Sequence, residues 1–411
     1  MSAEREPRRL LTNLFDQALE AVSGRSAVRR ALKAKDIAGP VEVIALGKAS
    51  QAMAEGACDV LGARIQGGLV VSKPGHLFHE RLARCGLDSV VGGHPVPTAG
   101  SLDAGRRLME ATDRAEHATL LFLISGGASS LVEAPAAGLG LAELERLNRW
   151  LLGSGLPIDA MNLIRKAVSR IKGGGLLSRL AGRDLRVLAI SDVPGDDPAV
   201  IGSGLLVPET ELAQRLASLD LPAWVRVWVD RGLAERAGIL ERGPRIQLVA
   251  TLSIAKEAAA AAAAASGLAV HFHRSFVEGD AAERGREIAH QLMMGPCGLH
   301  VWGGETTVRL PEHPGRGGRN QHLALAAAVE LAGRGDCLLL SAGTDGTDGP
   351  TEDAGALVDG GTLERAALDG FDAAAALRNA DAGSLLAASG DLIHTGPTGT
   401  NVMDLMLGLK H

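Results

Sequence analysis

Residues whose chemistry stands out gather at 301–350, VWGGETTVRLPEHPGRGGRNQHLALAAAVELAGRGDCLLLSAGTDGTDGP. Gly303 and Gly304 follow a short apolar strand and precede Glu305, Thr306 and Thr307; a second glycine-rich turn then carries Arg316 and Arg319 into an alanine-rich helix. The next apolar run ends in Gly343, Thr344, Asp345, Gly346, Thr347, Asp348 and Gly349. Glycines at strand ends let backbone amides approach an anion closely, and a helix N-terminus behind the turn adds a favourable dipole. The fork of Arg319 suits a carboxylate or a phosphate, although a salt bridge tethering parts of the fold would use it equally well. Aspartates cannot hold a phosphate themselves, so those in the last turn point to a hard cation or a proton acceptor. Phosphoryl transfer is the chemistry that uses all of these parts.

Three earlier blocks carry the same signature. Lys48 lies in GKAS after the apolar run at 41–46. Gly126, Gly127, Ser129 and Ser130 lie in GGASS after the run at 119–125, and Asp192, Asp196 and Asp197 lie in DVPGDDP after the run at 185–191. Continuous apolar runs are expected of parallel strands buried on both faces, and open α/β sheets bind ligands at the carboxyl ends of such strands. A lysine there can neutralise a transferring phosphate. Blander uses exist for each block: a solvated surface lysine, a tight strand-to-helix turn, or aspartates that cap the turn after the strand. No G-x-x-x-x-G-K-[ST], no G-x-G-x-x-G after an early strand and no G-x-S-x-G occurs, which counts against a P-loop enzyme, a nicotinamide dehydrogenase and an α/β-hydrolase. His271 and His273 share a strand face without an acid or cysteine beside them and read as ordinary strand residues.

Alternating strands and helices position these loops. Helices are expected at 10–22, 50–61, 101–115 and 223–240, and Asp159 is expected to cap a helix that Gly173, Gly174 and Gly175 end. The pattern restarts near 235–245 with the strand at 245–251. The chain therefore divides into an N-terminal helical stretch (1–35) that docks elsewhere, a Rossmann-like doubly wound domain (36–240) and a second α/β domain (241–411). At 411 residues with a net charge of −6 and no long basic run, nucleic acid and anionic membrane are excluded as main partners. No signal peptide or apolar span appears, which places the protein in the cytoplasm, and the four cysteines, without a C-x-x-C pair, read as reduced structural thiols.

The blocks ALGKAS, GGHPVPTAGS, LISGGASSL, NLIRKAVSRIKGGGL, SDVPGDDPAVIGSG, WGGETTV, GRGGRNQ, AGTDGTDGPTEDAGA and HTGPTGTNV together resemble the class II glycerate kinases, the MOFRL family. The resemblance runs from about residue 45 to 404. It implies two α/β/α domains with the active site in the cleft between them, ATP with Mg²⁺ or Mn²⁺, and phosphorylation of D-glycerate, usually to 2-phosphoglycerate. The family's catalytic lysine and arginine fall on Lys48 and Arg319. Some relatives carry a hydroxypyruvate reductase label from tartrate metabolism; an NAD(P)H-dependent reductase and a non-catalytic sugar-acid or nucleotide sensor are the competing functions. In the mechanism expected here, Gly126, Gly127, Ser129, Gly303, Gly304, Glu305 and Thr306 face the nucleotide. Asp192 and Asp197 hold the metal, Asp192 or Asp345 accepts a proton, and Arg165, Lys172 and Asp345 contact the acceptor. A homodimer is one possible assembly. His322, where relatives have glutamate, Ala167, where they often have histidine, and Leu205 and Leu206, in place of Ser-Gly-Pro, depart from the family pattern.

Overall fold

The computed structural model describes residues 5–114, 118–236 and 242–411. The helix ends expected at 115 and 237–240, and part of the expected boundary at 235–245, lie outside those residues. Two compact units result, Gly24–Val249 and a second that joins Met1–Ser23 to Ala250–His411.

In the Gly24–Val249 unit the apolar runs become strands β1 (Val41–Leu46), β2 (Ile65–Ser72), β3 (Asp88–Val91), β4 (Thr119–Ile124) and β5 (Leu185–Ile190), with β6 (Ile246–Ala250) at the edge, in the order β3-β2-β1-β4-β5-β6. The pairs β1/β2, β1/β4, β2/β3 and β4/β5 are parallel, and β4 is buried at every residue. This is the doubly wound order, and it reverses between β1 and β4. The strand expected to open the second domain instead completes this first sheet. An apolar run specifies a strand but not the sheet that receives it.

The expected helix after Asp159 also differs. It spans Ile158–Ala167, with Pro157 at the cap and Asp159 inside the first turn, and it stops well before the three glycines. Those glycines belong to a separate turn described below.

The other unit is built on β7 (Val270–Asp280), β8 (Gly298–Thr307), β9 (Cys337–Gly343), β10 (Gly355–Asp359), β11 (Leu392–Ile393) and β12 (Asp404–Lys410), ordered β11-β10-β9-β12-β8-β7. Only β7/β8 is parallel among its pairs. Side chains alternate across β8: Trp302 donates from Nε1 to Gln291 Oε1 at 2.8 Å on the helix Ala281–Met294, while Gly303 faces Leu252 of the helix Leu252–Ala265. Helices thus cover both faces. The helix Arg5–Val22 packs against Leu252–Ala265, β9 and β12, and its Leu11, Leu14, Phe15, Ala18 and Val22 are all buried, at the i, i+3, i+4, i+7 spacing of one helical face. Residues 1–35 therefore divide, since the next helix, Gly24–Ala34, packs on Ser50–Leu61 in the first unit. Cys58 and Cys85, distant in sequence, meet there as thiols, and burial with a hydrogen bond to Cys85 pushes the Cys58 thiol up.

Candidate functional site

Strands β1 and β4 are neighbours whose connections leave in opposite directions, so their carboxyl ends open a crevice. Lys48 N–H donates to Gly126 O at 2.9 Å and Ala49 N–H to Ser125 Oγ at 3.1 Å, which locks the two exits together. Gly47 has φ +123°, and a Cβ there would sit 2.4 Å from Ser125 O, so no other residue fits this crossing. Gly126 faces a side chain instead: its Cβ would fall 1.7 Å from Asp192 Oδ2, beyond the end of β5, so the glycine lets that carboxylate lie against the turn. Lys48 runs past Gly127, where a Cβ would stand 3.2 Å from its Cγ and 3.1 Å from His94 Cδ2.

The crevice opens into a cavity of about 320 Å³ whose lining includes His94, Gly127, Ser129, Arg165, Lys172 and Asp192. Lys172 and Glu133 are both buried and pair directly, and Ser169 Oγ donates to Glu133 Oε1 at 2.6 Å, so the lysine's charge is balanced within the wall. Ser129 and Ser203 share a hydroxyl hydrogen bond of 2.8 Å. Burial pushes the pKa of Arg165 down from its ordinary value.

One acid expected here is elsewhere: Asp197 is exposed and its Oδ1 accepts Ala199 N–H at 2.9 Å, the turn-capping use of this residue type. Asp192 is the carboxylate left at the cavity. Glu133, Asn148, Asn162 and Ser203 also line the cavity without having been singled out from sequence. His94, Asn162 and Ser203 lie in the family-like blocks, whereas no residue pattern marks Glu133 or Asn148.

The wall behind Lys172 is organised by Arg236. Its Nη1 donates to Lys166 O at 3.2 Å, Ser169 O at 3.2 Å and Lys172 O at 2.9 Å, and its Nη2 donates to Gly173 O. Burial pushes its pKa down to about 10, with Glu209 opposing. Gly174 has φ +77°, and its Cβ would lie 2.6 Å from Pro208 Cα, while a Cβ on Gly175 would lie 2.4 Å from Arg170 O. The three glycines wrap a guanidinium and do not end a helix.

The second unit gathers the other expected residues, with three corrections. Gly303 and Gly304 are not a turn: β8 runs through them to Thr307. A Cβ on Gly303 would stand 2.8 Å from Leu252 Cδ1 and one on Gly304 2.0 Å from Val277 O, so the pair provides room for a helix and a neighbouring strand. Thr306 is buried in the same strand. The N-terminus of the helix Arg319–Leu331 is already occupied: Asn320 N–H and Gln321 N–H donate to Asp348 Oδ1 and Oδ2 at 3.0 and 2.8 Å. The anion that the dipole stabilises is thus a side chain of the protein itself. Burial pushes the Asp348 carboxyl up to about 7, against those two amide hydrogen bonds.

Arg319 is the third case. Its Nε and Nη2 grip Asp404 Oδ2 and Oδ1 at 2.7 and 3.0 Å, and its Nη1 lies 2.6 Å from Glu305 Oε1. Asp404 is fully buried, whereas the Glu305 side chain is 39% exposed. Burial opposes the arginine's charge, but Asp404 and Glu305 outweigh it and raise its pKa; burial likewise raises Asp404. Asp345 Oδ1 accepts Thr347 N–H and Oγ1–H, each at 3.0 Å. His322, buried on the same helix as Arg319, has its pKa lowered by burial, with Asp280 and Arg286 as its charged neighbours. His271, His273 and His300 form a chain of ring contacts ending on Trp302, and among the described residues no group of three His, Cys, Asp or Glu could hold a metal.

A doubly wound sheet with a lysine, a glycine turn and an acid at its switch point defines an α/β enzyme that handles small anionic ligands. Comparison with known proteins gives the family. The family described as a domain of unknown function, DUF4147, matches residues 10–226, and the MOFRL family matches residues 298–404. A D-glycerate 2-kinase of Thermotoga maritima is 36% identical, with 98% of each chain covered. A putative hydroxypyruvate reductase of Agrobacterium vitis is 38% identical over 97% of this chain and 93% of its own. A crystal structure of Thermotoga maritima glycerate kinase superposes with a TM-score of 0.87 at 34% identity, covering 99% of this chain and 100% of that one. The chain belongs to the class II glycerate kinase, or MOFRL, family. Among the described residues no helix is long and apolar enough to cross a membrane.

Proposed function

We propose that this protein is an ATP-dependent kinase that phosphorylates D-glycerate at the 2-hydroxyl, in the cytoplasm. The observation that carries the reading is the switch-point crevice, where Lys48, the Gly126 and Gly127 backbone and Asp192 converge beside the cavity. The kinase activity is supported by the full-length likeness to glycerate kinases, and the 2-position by the name of the Thermotoga relative.

The strand order alone would admit a dinucleotide. The first strand's turn, however, offers Gly47 followed by Lys48 instead of the three spaced glycines a pyrophosphate needs there, which favours phosphoryl transfer over hydride transfer.

Phosphoryl transfer demands mainly positioning and charge stabilisation, because its transition state is loose. In this reading the Gly126–Gly127 turn lets the donor's phosphates approach the backbone, and the Lys48 ammonium neutralises charge on the transferring group. Mg²⁺ or Mn²⁺ fits a site with one protein carboxylate, Asp192, because Mg²⁺ commonly keeps most of its coordination for phosphates and water. When bound, the metal would neutralise phosphate charge. Lys172 is held neutralised by Glu133 and shapes the wall. Within the second unit, Asp404 fixes the orientation of Arg319, while the more exposed Glu305 can give way to an anion.

The test is an assay with ATP, Mg²⁺ and D-glycerate beside one with NADH and hydroxypyruvate, with product phosphorus located by NMR. Phosphorylation at the 2-position is expected, and Lys48→Ala should stay folded yet lose about 10²- to 10³-fold in turnover. Hydride transfer without phosphorylation would sink the reading.

A further inference from the structure

The cavity of the first unit carries one charge that the protein leaves unbalanced. Lys172 is matched by Glu133, and Lys166, next in sequence to Arg165, pairs with Glu209 at 2.8 Å. Arg165 has no such acid among the described residues. Its Nε reaches Asn148 Oδ1 at 3.4 Å and its Nη1 reaches Asn162 Oδ1 at 3.2 Å, both neutral acceptors, and its Nη2 donates to no group among the described residues. Guanidinium is always protonated and presents its donors as a planar fork, so its free edge selects a flat, two-oxygen anion. A partly buried cation without a counter-ion is unfavourable until a ligand supplies one.

The surroundings narrow the anion. Leu144, Leu147 and Val168 line the same cavity as Arg165, Asn148 and Asn162. One unbalanced positive charge beside apolar side chains matches a monoanionic acid on a short carbon skeleton. A triphosphate brings several charges and matches the Lys48, glycine-turn and Asp192 region better.

We infer that Arg165, held between Asn148 and Asn162, is the subsite for the acceptor's carboxylate and makes the enzyme prefer a hydroxy acid to a neutral polyol of the same length. This rests on the kinase reading only in taking the acceptor to be a hydroxy acid. Glycerol carries the hydroxyls of glycerate without the carboxylate, so it leaves Arg165 unpaired. Sites built for a polar partner reject the analogue that lacks it far more strongly than apolar pockets reject a missing methylene.

The experiment compares wild type, Arg165→Gln and Arg165→Lys with D-glycerate and glycerol as acceptors, ATP being varied separately. Arg165→Gln should raise KM for D-glycerate about 10- to 100-fold, as loss of a charged hydrogen-bond pair does. Its kcat/KM for glycerol should fall far less than that for D-glycerate, so the preference for the acid collapses, and Arg165→Lys should recover part of it. KM for ATP should stay within about twofold. Without ligand, Arg165→Gln should melt no lower than wild type, because an unbalanced charge has been removed; a purely structural arginine would shift the melting point down.

An unchanged acid preference would overturn the assignment, as would a rise in KM for ATP instead, which would give Arg165 to the nucleotide phosphates. Calorimetry with D-glycerate and no nucleotide keeps the two readings separate. If wild type fails to phosphorylate D-glycerate, the kinase reading falls, yet binding of D-glycerate to wild type and not to Arg165→Gln still upholds the subsite. Equal binding to both, or to neither, overturns it.

Discussion

At the scale of single residues, this protein uses its charged groups on one another before any ligand arrives. Asp348 shows the consequence for stability. Its carboxyl is held at about 7 in the folded chain by burial, against an ordinary value of 3.8. Between those values the folded chain keeps a proton that the unfolded chain has released, so the contribution of this group to stability falls as pH rises from about 4 to about 7. Asp348→Asn removes the titration and retains one oxygen to accept an amide at the head of the helix Arg319–Leu331. Urea unfolding should show that the wild-type midpoint declines relative to the Asn variant over this window; parallel profiles would place the Asp348 titration elsewhere. The same ionic economy explains why Arg319 was legible as an anion binder but not as the partner of Asp404 and Glu305. Its type and its place before a helix are visible in the chain, whereas the acids that meet it come from β12 and β8, 85 residues later in the case of Asp404.

At the scale of elements, the strands that carry the first site were readable because a strand buried on both faces must be a nearly continuous apolar run, and VEVIAL, TLLFLI and LRVLAI all became strands of one sheet. Glycine-rich segments were less readable, since the residue type records only that a Cβ is excluded and not by what. At Gly126 the nearest group is Asp192, a site residue; at Gly303 and Gly304 it is ordinary packing; in the turn that wraps Arg236 it is the guanidinium and Lys166 at Gly173, Pro208 at Gly174 and the Arg170 carbonyl at Gly175. That last turn gives an element-scale prediction. Arg236 donates to the carbonyls of Lys166, Ser169, Lys172 and Gly173, so Arg236→Met removes a charged donor from all four, leaves Lys166, Lys172 and Gly173 only their backbone amide partners, and loosens the segment that bears Lys172. A loss of about 2–3 kcal/mol in unfolding free energy is expected from charge-assisted hydrogen bonds of this kind. Acceptor KM should rise more than ATP KM. Unaltered stability with unaltered KM would show that the turn holds its shape without the guanidinium.

At the scale of the whole molecule, the chain's order and its compact units do not coincide, because the first helix belongs with the last 162 residues. Arg5–Val22 is fixed there by its apolar face and by Arg8, which donates from Nη2 to Leu357 O at 2.9 Å and to Asp391 Oδ1 at 2.7 Å and pairs through Nη1 with Asp359. Sequence periodicity reveals such a helix and the width of its apolar face, but nothing local names a partner more than two hundred residues away. Phe15 is fully buried in this seam, so Phe15→Ala should cost about 3–5 kcal/mol. Hydrogen exchange can show where that cost falls. Protection should drop in Ala250–His411, first along Leu252–Ala265 and β12, while the doubly wound sheet of Gly24–Val249 keeps its slow amides. Loss confined to Gly24–Val249 would mean that the amino-terminal helix is anchored to its neighbour in sequence and that the discontinuous unit does not exist in solution.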